Sequence, residues 1–159
     1  MTELTRLPRP IGRSLTLDEL LEWLKALYPW DRHFAAMELG TYNDPRAVEP
    51  LIEALDDSVP YVRSAAADSL GRLGRIPKVR PVARQAVKRL VAMLEDEDEE
   101  VIGSAVYALG ELGDSSIAPK LLPFLEHPNS PHVKIRNVAI LALRTLRHEP
   151  AIPHLQHLL

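Results

Sequence analysis

Two histidines near the end of the chain, His154 and His157, stand three residues apart, a spacing that on one helix face would offer two nitrogen ligands to a metal ion. Neither a His-Glu-x-x-His pattern nor a carboxylate-rich companion goes with them, so they read as part of a solvated terminal helix and no metal is assigned. Ser64, Ser69 and Ser104 lie in small, apolar segments with no His and Asp motif around them, which argues against an activated nucleophile. The glycine patterns that cradle phosphates are missing. With no cysteine in the chain, disulfides, thiolate metal sites and cysteine nucleophiles are excluded. Six consecutive acids, Glu95 to Glu100, lack the glycine and alternating spacing of a calcium loop and read as a solvated connection. On the residues alone, then, no cofactor and no catalytic group is expected, and the chain is read as a non-enzyme.

Charge is the chemistry that remains. From Arg72 to Arg89 there are bases and no acids, and the acidic run follows at once. The net charge of −3 argues against nucleic acid, whose phosphates demand a basic surface. Apolar residues at 46% and charged residues at 26% describe an ordinary folded chain, and aromatics at 5% leave the core to Leu, Val, Ile and Ala. No apolar run is long enough to span a bilayer, and the first residues lack the apolar stretch of a secretory signal. A cytoplasmic protein with no membrane contact is expected.

The elements that must position these charges announce themselves as a repeat. RHFAAMELG (from Arg32), RSAAADSLG (Arg63), IGSAVYALG (Ile102) and RNVAILALR (Arg136) align so that Ala35, Ala66, Ala105 and Ala139 share one column and Leu39, Leu70, Leu109 and Leu143 another. A second segment follows each: AVEPLIEAL (Ala47), AVKRLVAML (Ala86), IAPKLLPFL (Ile117) and AIPHLQHLL (Ala151). In the first of these, Val48, Leu51, Ile52 and Leu55 form the stripe of an amphipathic helix. Repeat two carries an insertion, RIPKVRPVARQ, expected as a loop. Gly71, Gly74, Gly110 and Gly113 are expected to stop helices, and Asn43-Asp44-Pro45 and Asp114-Ser115-Ser116 to cap the next ones. Thr16 to Glu19 reads as a capping box opening one further helix. Helix, turn and helix in roughly 30–40 residues is the period of a helical-hairpin array.

NDPRAVEPLIEALDDSVPYVRSAAADSLGRLG, Asn43 to Gly74, resembles the phycobilisome-lyase type of HEAT repeat, in which DPRAVxPLIxAL precedes VRxxAAxALGxLG. The resemblance runs from about residue 30 to residue 159 and is strongest in the middle. It implies an all-α fold, a right-handed α-α superhelix (a HEAT-like solenoid) of about four hairpins plus an N-terminal capping helix. The expected organisation is a flexible tail over 1–13 and one repeat domain over 14–159, with the capping helix at 16–28 and repeats at about 30–57, 59–96, 99–127 and 131–159. For function it implies a scaffold that binds another protein, a bilin lyase or lyase-like subunit that attaches or removes bilin on phycobiliproteins, or a small assembly factor or chaperone. HEAT-type iron hydroxylases carry His-Glu pairs early in their first helices; here those places read His33-Phe34, Ser64-Ala65, Gly103-Ser104 and Asn137-Val138, so that activity is rejected. In this repeat type the column arginine ties neighbouring hairpins to loop acids, so Arg32, Arg63 and Arg136 are expected to pair with loop acids, with Asp56, Asp57, Asp96 and Asp98 as the candidates; Ile102 breaks the column.

If Val48, Leu51, Ile52 and Leu55 face inward, their neighbours face out. The outward positions of successive second helices are acidic early (Glu49, Glu53) and basic or titratable later (Lys88 and Arg89, then Lys120, then His154). This polarised surface, with Arg80 and Arg84 of the insertion, is the expected partner-binding face. Trp23, Tyr28 and Trp30 are expected to seal the N-terminal end of the core. The fourth first helix is apolar on more than one side, and self-association through the last hairpin, with Leu158 and Leu159, is expected.

Overall fold

Local chemistry decides where each helix starts. The computed structural model describes residues 14–125 and 133–146. Thr16 opens α1 (Leu17–Trp23): its hydroxyl accepts the Glu19 amide at 3.3 Å while the Glu19 carboxylate accepts the Thr16 amide at 2.7 Å. That is the reciprocal box the sequence predicts. Pro29 and Pro60 stand in the first turns of α2 (Pro29–Leu39) and α4 (Pro60–Gly74), where a missing N–H costs nothing. Between them Asp44 accepts the Arg46 amide at 2.9 Å and starts the 3-10 turn Pro45–Ala47 that leads into α3 (Val48–Ala54). The helical turn α5 (Arg80–Ala83) precedes α6 (Val87–Ala92). Asp98 caps α7 (Glu99–Leu112) by accepting the Glu100 and Val101 amides at 2.9 and 3.3 Å. Asp114 accepts the Ser116 amide at 3.0 Å before α8 (Ala118–Leu121), and α9 (Val133–Thr145) follows.

These helices pair into hairpins, and the hairpins stack. First helices pack in sequence, α2 on α4, α4 on α7 and α7 on α9. The second helices α3, α6 and α8 each lie against the first helix of the following hairpin, and α1 lies against α2 in the same way. The described residues are all helix, turn or irregular connection, with no strand. The aligned columns are the spine of the core: Ala35, Ala66, Ala105 and Ala139, with Leu39, Leu70, Leu109 and Leu143, are all fully buried. Small alanines let the first helices approach closely, and the leucines fill the layer between first and second helices.

Three expectations need correcting. The capping helix ends at Trp23 rather than residue 28. After it Lys25 and Ala26 turn back on the Glu22 and Trp23 carbonyls in tighter i→i−3 bonds, and Pro29 restricts Tyr28 to an extended conformation (φ −80, ψ 123), so no helix runs on into α2. Gly71 and Gly110 lie inside α4 and α7 and stop nothing; they are sites of close helix approach. Only Gly113 takes the left-handed conformation (φ 70) that ends a helix. The insertion is not a free loop, because Val79, Ala83 and Ala86 drop into the core and pin it as α5 and a 3-10 turn over Arg84–Ala86.

Candidate functional site

Two of the column arginines, Arg32 and Arg63, are structural clamps, whereas the buried Nε of Arg136 meets no hydrogen-bond partner among the described residues. Arg32 grips Asp57 through two parallel bonds, Nε to Oδ2 at 2.7 Å and Nη2 to Oδ1 at 2.8 Å, and its Nη1 donates to the carbonyls of Ala26 and Leu27. Arg63 repeats the grip on Asp96, with Nε and Nη2 both at 2.9 Å. Each aspartate also accepts the amide two residues on, Val59 or Asp98. Burial pushes the Asp57 carboxyl up, but the Arg32 hydrogen bonds, the Val59 amide and the nearby Arg63 together hold it below its ordinary range. Asp96 is depressed against its own burial in the same way by Arg63 and the Asp98 amide. Asp56 and Asp98, the other two candidates, are used elsewhere: Asp56 pairs with Arg89 and Asp98 caps α7.

The second helices present the face expected to bind a partner. Glu49 and Glu53 of α3, Lys88 and Arg89 of α6, and Lys120 of α8 are all exposed. Arg89 reaches back to Asp56 and so links α6 to the end of the preceding hairpin. Arg80 is part-buried and Arg84 exposed, and both bond to backbone carbonyls. Arg80 donates to the Gly74 carbonyl, and Arg84 donates to those of Leu112 and Gly113, both at 3.0 Å. Their guanidiniums fasten helix C-termini, where a cation meets the negative end of the dipole. His154, His157, Leu158 and Leu159 lie outside the described residues, as does the tail over 1–13.

The opposite face, built from first helices, was not part of the expected site. Trp30, Met37, Tyr61 and Leu141 are large apolar side chains exposed on it. The repeat offset places Trp30 and Tyr61 in one column, and Met37, Asp68, Tyr107 and Leu141 in another. Trp30, His33 and Tyr61 form an aromatic group, with Trp30 and His33 centred 5.1 Å apart and His33 edge-on to Tyr61 at 5.4 Å. His33 Nδ1 lies 2.9 Å from the Tyr61 carbonyl oxygen. Of the three aromatics expected to seal the core, Trp23 does so against Phe34, whereas Trp30 is half exposed. The signal for this face was present in the sequence: the first-helix columns could be carried along the repeats as the second-helix ones were.

Further along the same face a groove of about 800 Å³ opens over α4, α7 and α9. Ile135, Val138, Leu141 and Ala142 line one side and Tyr107 another, and Gly103 leaves its floor without a side chain. Asp68, Glu99, Glu100 and Glu111 stand around it with Arg72. Burial raises the Asp68 carboxyl above its ordinary range, with Glu100 adding to the shift, against a hydrogen bond from Ser104 and the charge of Arg72. Among the described residues no group of His, Asp and Glu could hold a metal ion. No helix there is long and apolar enough to cross a membrane.

A family model described as HEAT repeats matches residues 17–89 and again 87–159. Phycocyanobilin lyase subunit alpha of Picosynechococcus sp. (strain PCC 7002) is 32% identical over 126 residues, covering 77% of this chain and 46% of that protein. The protein of the same name from Synechococcus elongatus (strain PCC 7942) is 35% identical over 120 residues, covering 65% of this chain and 41% of that one. The chain thus spans less than half the length of these two relatives. Among solved structures, the complex of CpcE and CpcF of phycocyanin lyase from Nostoc sp. PCC7120 matches with a TM-score of 0.76 at 29% identity, over 96% of this chain and 61% of that chain. A designed armadillo repeat protein matches with a TM-score of 0.68 at 18% identity, over 89% of this chain and 70% of that one, which bears on fold alone. These relatives overturn the expectation of a non-enzyme: the proteins this chain is similar to along most of its length are subunits of lyases. Nucleophile and metal patterns were a poor guide, because a subunit can serve a reaction without carrying any such pattern in its own sequence.

Proposed function

The chain belongs to the family of HEAT repeats, and on that footing we propose that it is a subunit of a bilin lyase, working with a protein partner to attach or remove bilin on a phycobiliprotein. The observation that carries this reading is the match, over nearly the whole chain, to a phycocyanin lyase complex. That complex joins two proteins, which favours a partnered subunit over a solitary enzyme. The partner is placed on the second-helix face. There Glu49 and Glu53 at one end and Lys88 and Lys120 further along offer a field that changes sign, which orients an incoming surface and speeds its capture. Arg80 and Arg84 contribute by fastening α5 and the turn before α6 to the ends of α4 and α7. Residues 14–159 are taken as one repeat domain.

The test is reconstitution. The full chain, alone and with proteins that co-purify with it from its native cells, is incubated with a phycobiliprotein apo-subunit and phycocyanobilin. Pigment that stays on the polypeptide after denaturation is then measured. Retention above the background without the chain, or release of bilin from a loaded subunit, is the expected result. Equal retention with and without the chain, together with no release, would refute the reading.

A further inference from the structure

We propose that the groove over α4, α7 and α9 is a docking site for an amphipathic helix of a partner protein that presents an apolar stripe flanked by lysine or arginine. This goes beyond the lyase reading and does not depend on it: it concerns the opposite face and needs no chromophore.

The shape of the groove comes from two features of the repeat. First, α9 turns Leu141 outward, 59% exposed, beside a part-buried Val138, while Ile135 is buried at the base of the groove. An exposed leucine standing in a row of apolar neighbours marks an interaction surface far better than one standing alone. Second, where repeats one and two carry His33 and Ser64, repeat three carries Gly103. A Cβ built on Gly103 would meet only Ile135 Cγ1, at 4.0 Å, so nothing fills the space above it. The missing side chain turns a filled helix–helix seam into a trough.

The occupant follows from backbone and charge. The described residues contain no strand, so an extended peptide would find no edge of unpaired amides to add to. A helix has its own hydrogen bonds already made and needs only an apolar stripe, which the trough matches. Acids still outnumber bases around the trough: Asp68, Glu99, Glu100 and Glu111 stand against Arg72 and against Arg75, which pairs with Glu111 at 3.5 Å. A basic flank is therefore attracted, and an acidic helix or a dicarboxylate such as a bilin is repelled. Asp68, part-buried on α4 and hydrogen-bonded to Ser104, gives an incoming cation a partially desolvated partner.

The probe is a fluorescein-labelled peptide of about 18 residues, roughly 27 Å as a helix, with leucine in the apolar heptad positions and lysine elsewhere. Its twin carries glutamate for lysine. Anisotropy is read against the full chain at low and physiological salt. The lysine peptide is expected to bind, less tightly as salt rises, and the glutamate twin to fail. Glu100→Gln with Glu111→Gln should weaken binding about fivefold or more. Glu49→Gln with Glu53→Gln, which removes the same charge from the other face, should leave it unchanged. Gly103→Leu, which plugs the trough without a backbone clash, should weaken it about tenfold while the melting temperature holds. The proposal is overturned if the lysine peptide does not bind, if the twin binds as well, if the second-helix pair weakens binding as much as the groove pair, or if Gly103→Leu has no effect.

Discussion

Gly110 of α7 lies so close to Ala142 of α9 that a Cβ built on the glycine would stand 2.7 Å from the alanine Cβ and 2.8 Å from its Cα. The same relationship recurs one and two repeats earlier. A Cβ on Gly71 would lie 3.0 Å from the Ala108 Cα, and one on Gly40 2.9 Å from the Ser69 Cα. Glycine on one first helix thus faces a small residue on the next, and the backbones approach to a distance no larger pair would allow. This contact sets the spacing of the stack, and with it the width of both faces.

Gly110→Val is therefore expected to force α7 and α9 apart and to cost about 1–3 kcal/mol by overpacking. Gly103→Ala, in the same helix but over open space, is expected to stabilise by about 0.5–1 kcal/mol through helix propensity. Urea unfolding of the two variants checks both signs. A destabilising Gly103→Ala would mean that the trough above it is filled.

Asp57→Asn is expected to destabilise by about 2–3 kcal/mol, because it leaves the largely buried Arg32 guanidinium facing a neutral group. The pH dependence follows from the depressed carboxyls of Asp57 and Asp96. Their folded-state pKa values lie below the unfolded ones. The stability they contribute is therefore full above the ordinary carboxylate range and drains away as pH falls through the folded values, below about pH 4. Denaturation profiles of the native chain and Asp57→Asn should converge in acid. Parallel profiles would mean the clamp contributes nothing through its charge.

Much of this arrangement was legible beforehand, for identifiable reasons. Period and column alignment put Ala66 and Leu70 in the core because each repeat solves the same packing problem. The resemblance to the repeat type paired Arg32 and Arg63 with loop acids, and the structure has them on Asp57 and Asp96. The glycines were misread because a glycine that ends a helix and one that lets two helices touch look alike in one dimension; only Gly113 has the positive φ that separates them. The internal bonds of Arg84 were not legible, because its acceptors, Leu112 and Gly113, lie 28 and 29 residues on. The first-helix face was not legible in the charge pattern, because Trp30, Tyr61 and Leu141 mark their surface by exposed apolar area.

Asp68→Asn is expected to stabilise the chain at pH 7. Burial, with Glu100 adding to it, raises this carboxyl despite the Ser104 bond and Arg72, so ionising it in the fold is unfavourable relative to the unfolded chain. The sign is opposite to that of Asp57: the folded pKa is raised, so the penalty is present above it and disappears as pH falls below the unfolded value. Asparagine keeps an acceptor for Ser104 without the charge. Thermal melts at pH 7 and pH 3 should show a gain at the higher pH only. A loss at pH 7 would mean that Arg72 compensates the charge fully.

Arg84→Ala tests whether the arginine of the insertion serves the fold or a partner. Its side chain bridges from the turn before α6 to the two carbonyls that end α7, Leu112 and Gly113, at 3.0 Å each. Those carbonyls belong to the last turn of a 14-residue helix whose C-cap is a left-handed glycine and whose last turn carries no basic residue of its own. Removing the cation leaves the negative end of the dipole to water, a cost of about 1 kcal/mol at this exposed position. Lys88→Ala, on the surface of α6 with no such acceptors, should stay within about 0.5 kcal/mol of the native chain. Hydrogen exchange localises the effect: faster exchange at the C-terminal turn of α7 in Arg84→Ala, and none in Lys88→Ala, is the signature of an internal fastening. Unchanged exchange with weaker capture of a protein partner would instead return Arg84 to the binding face.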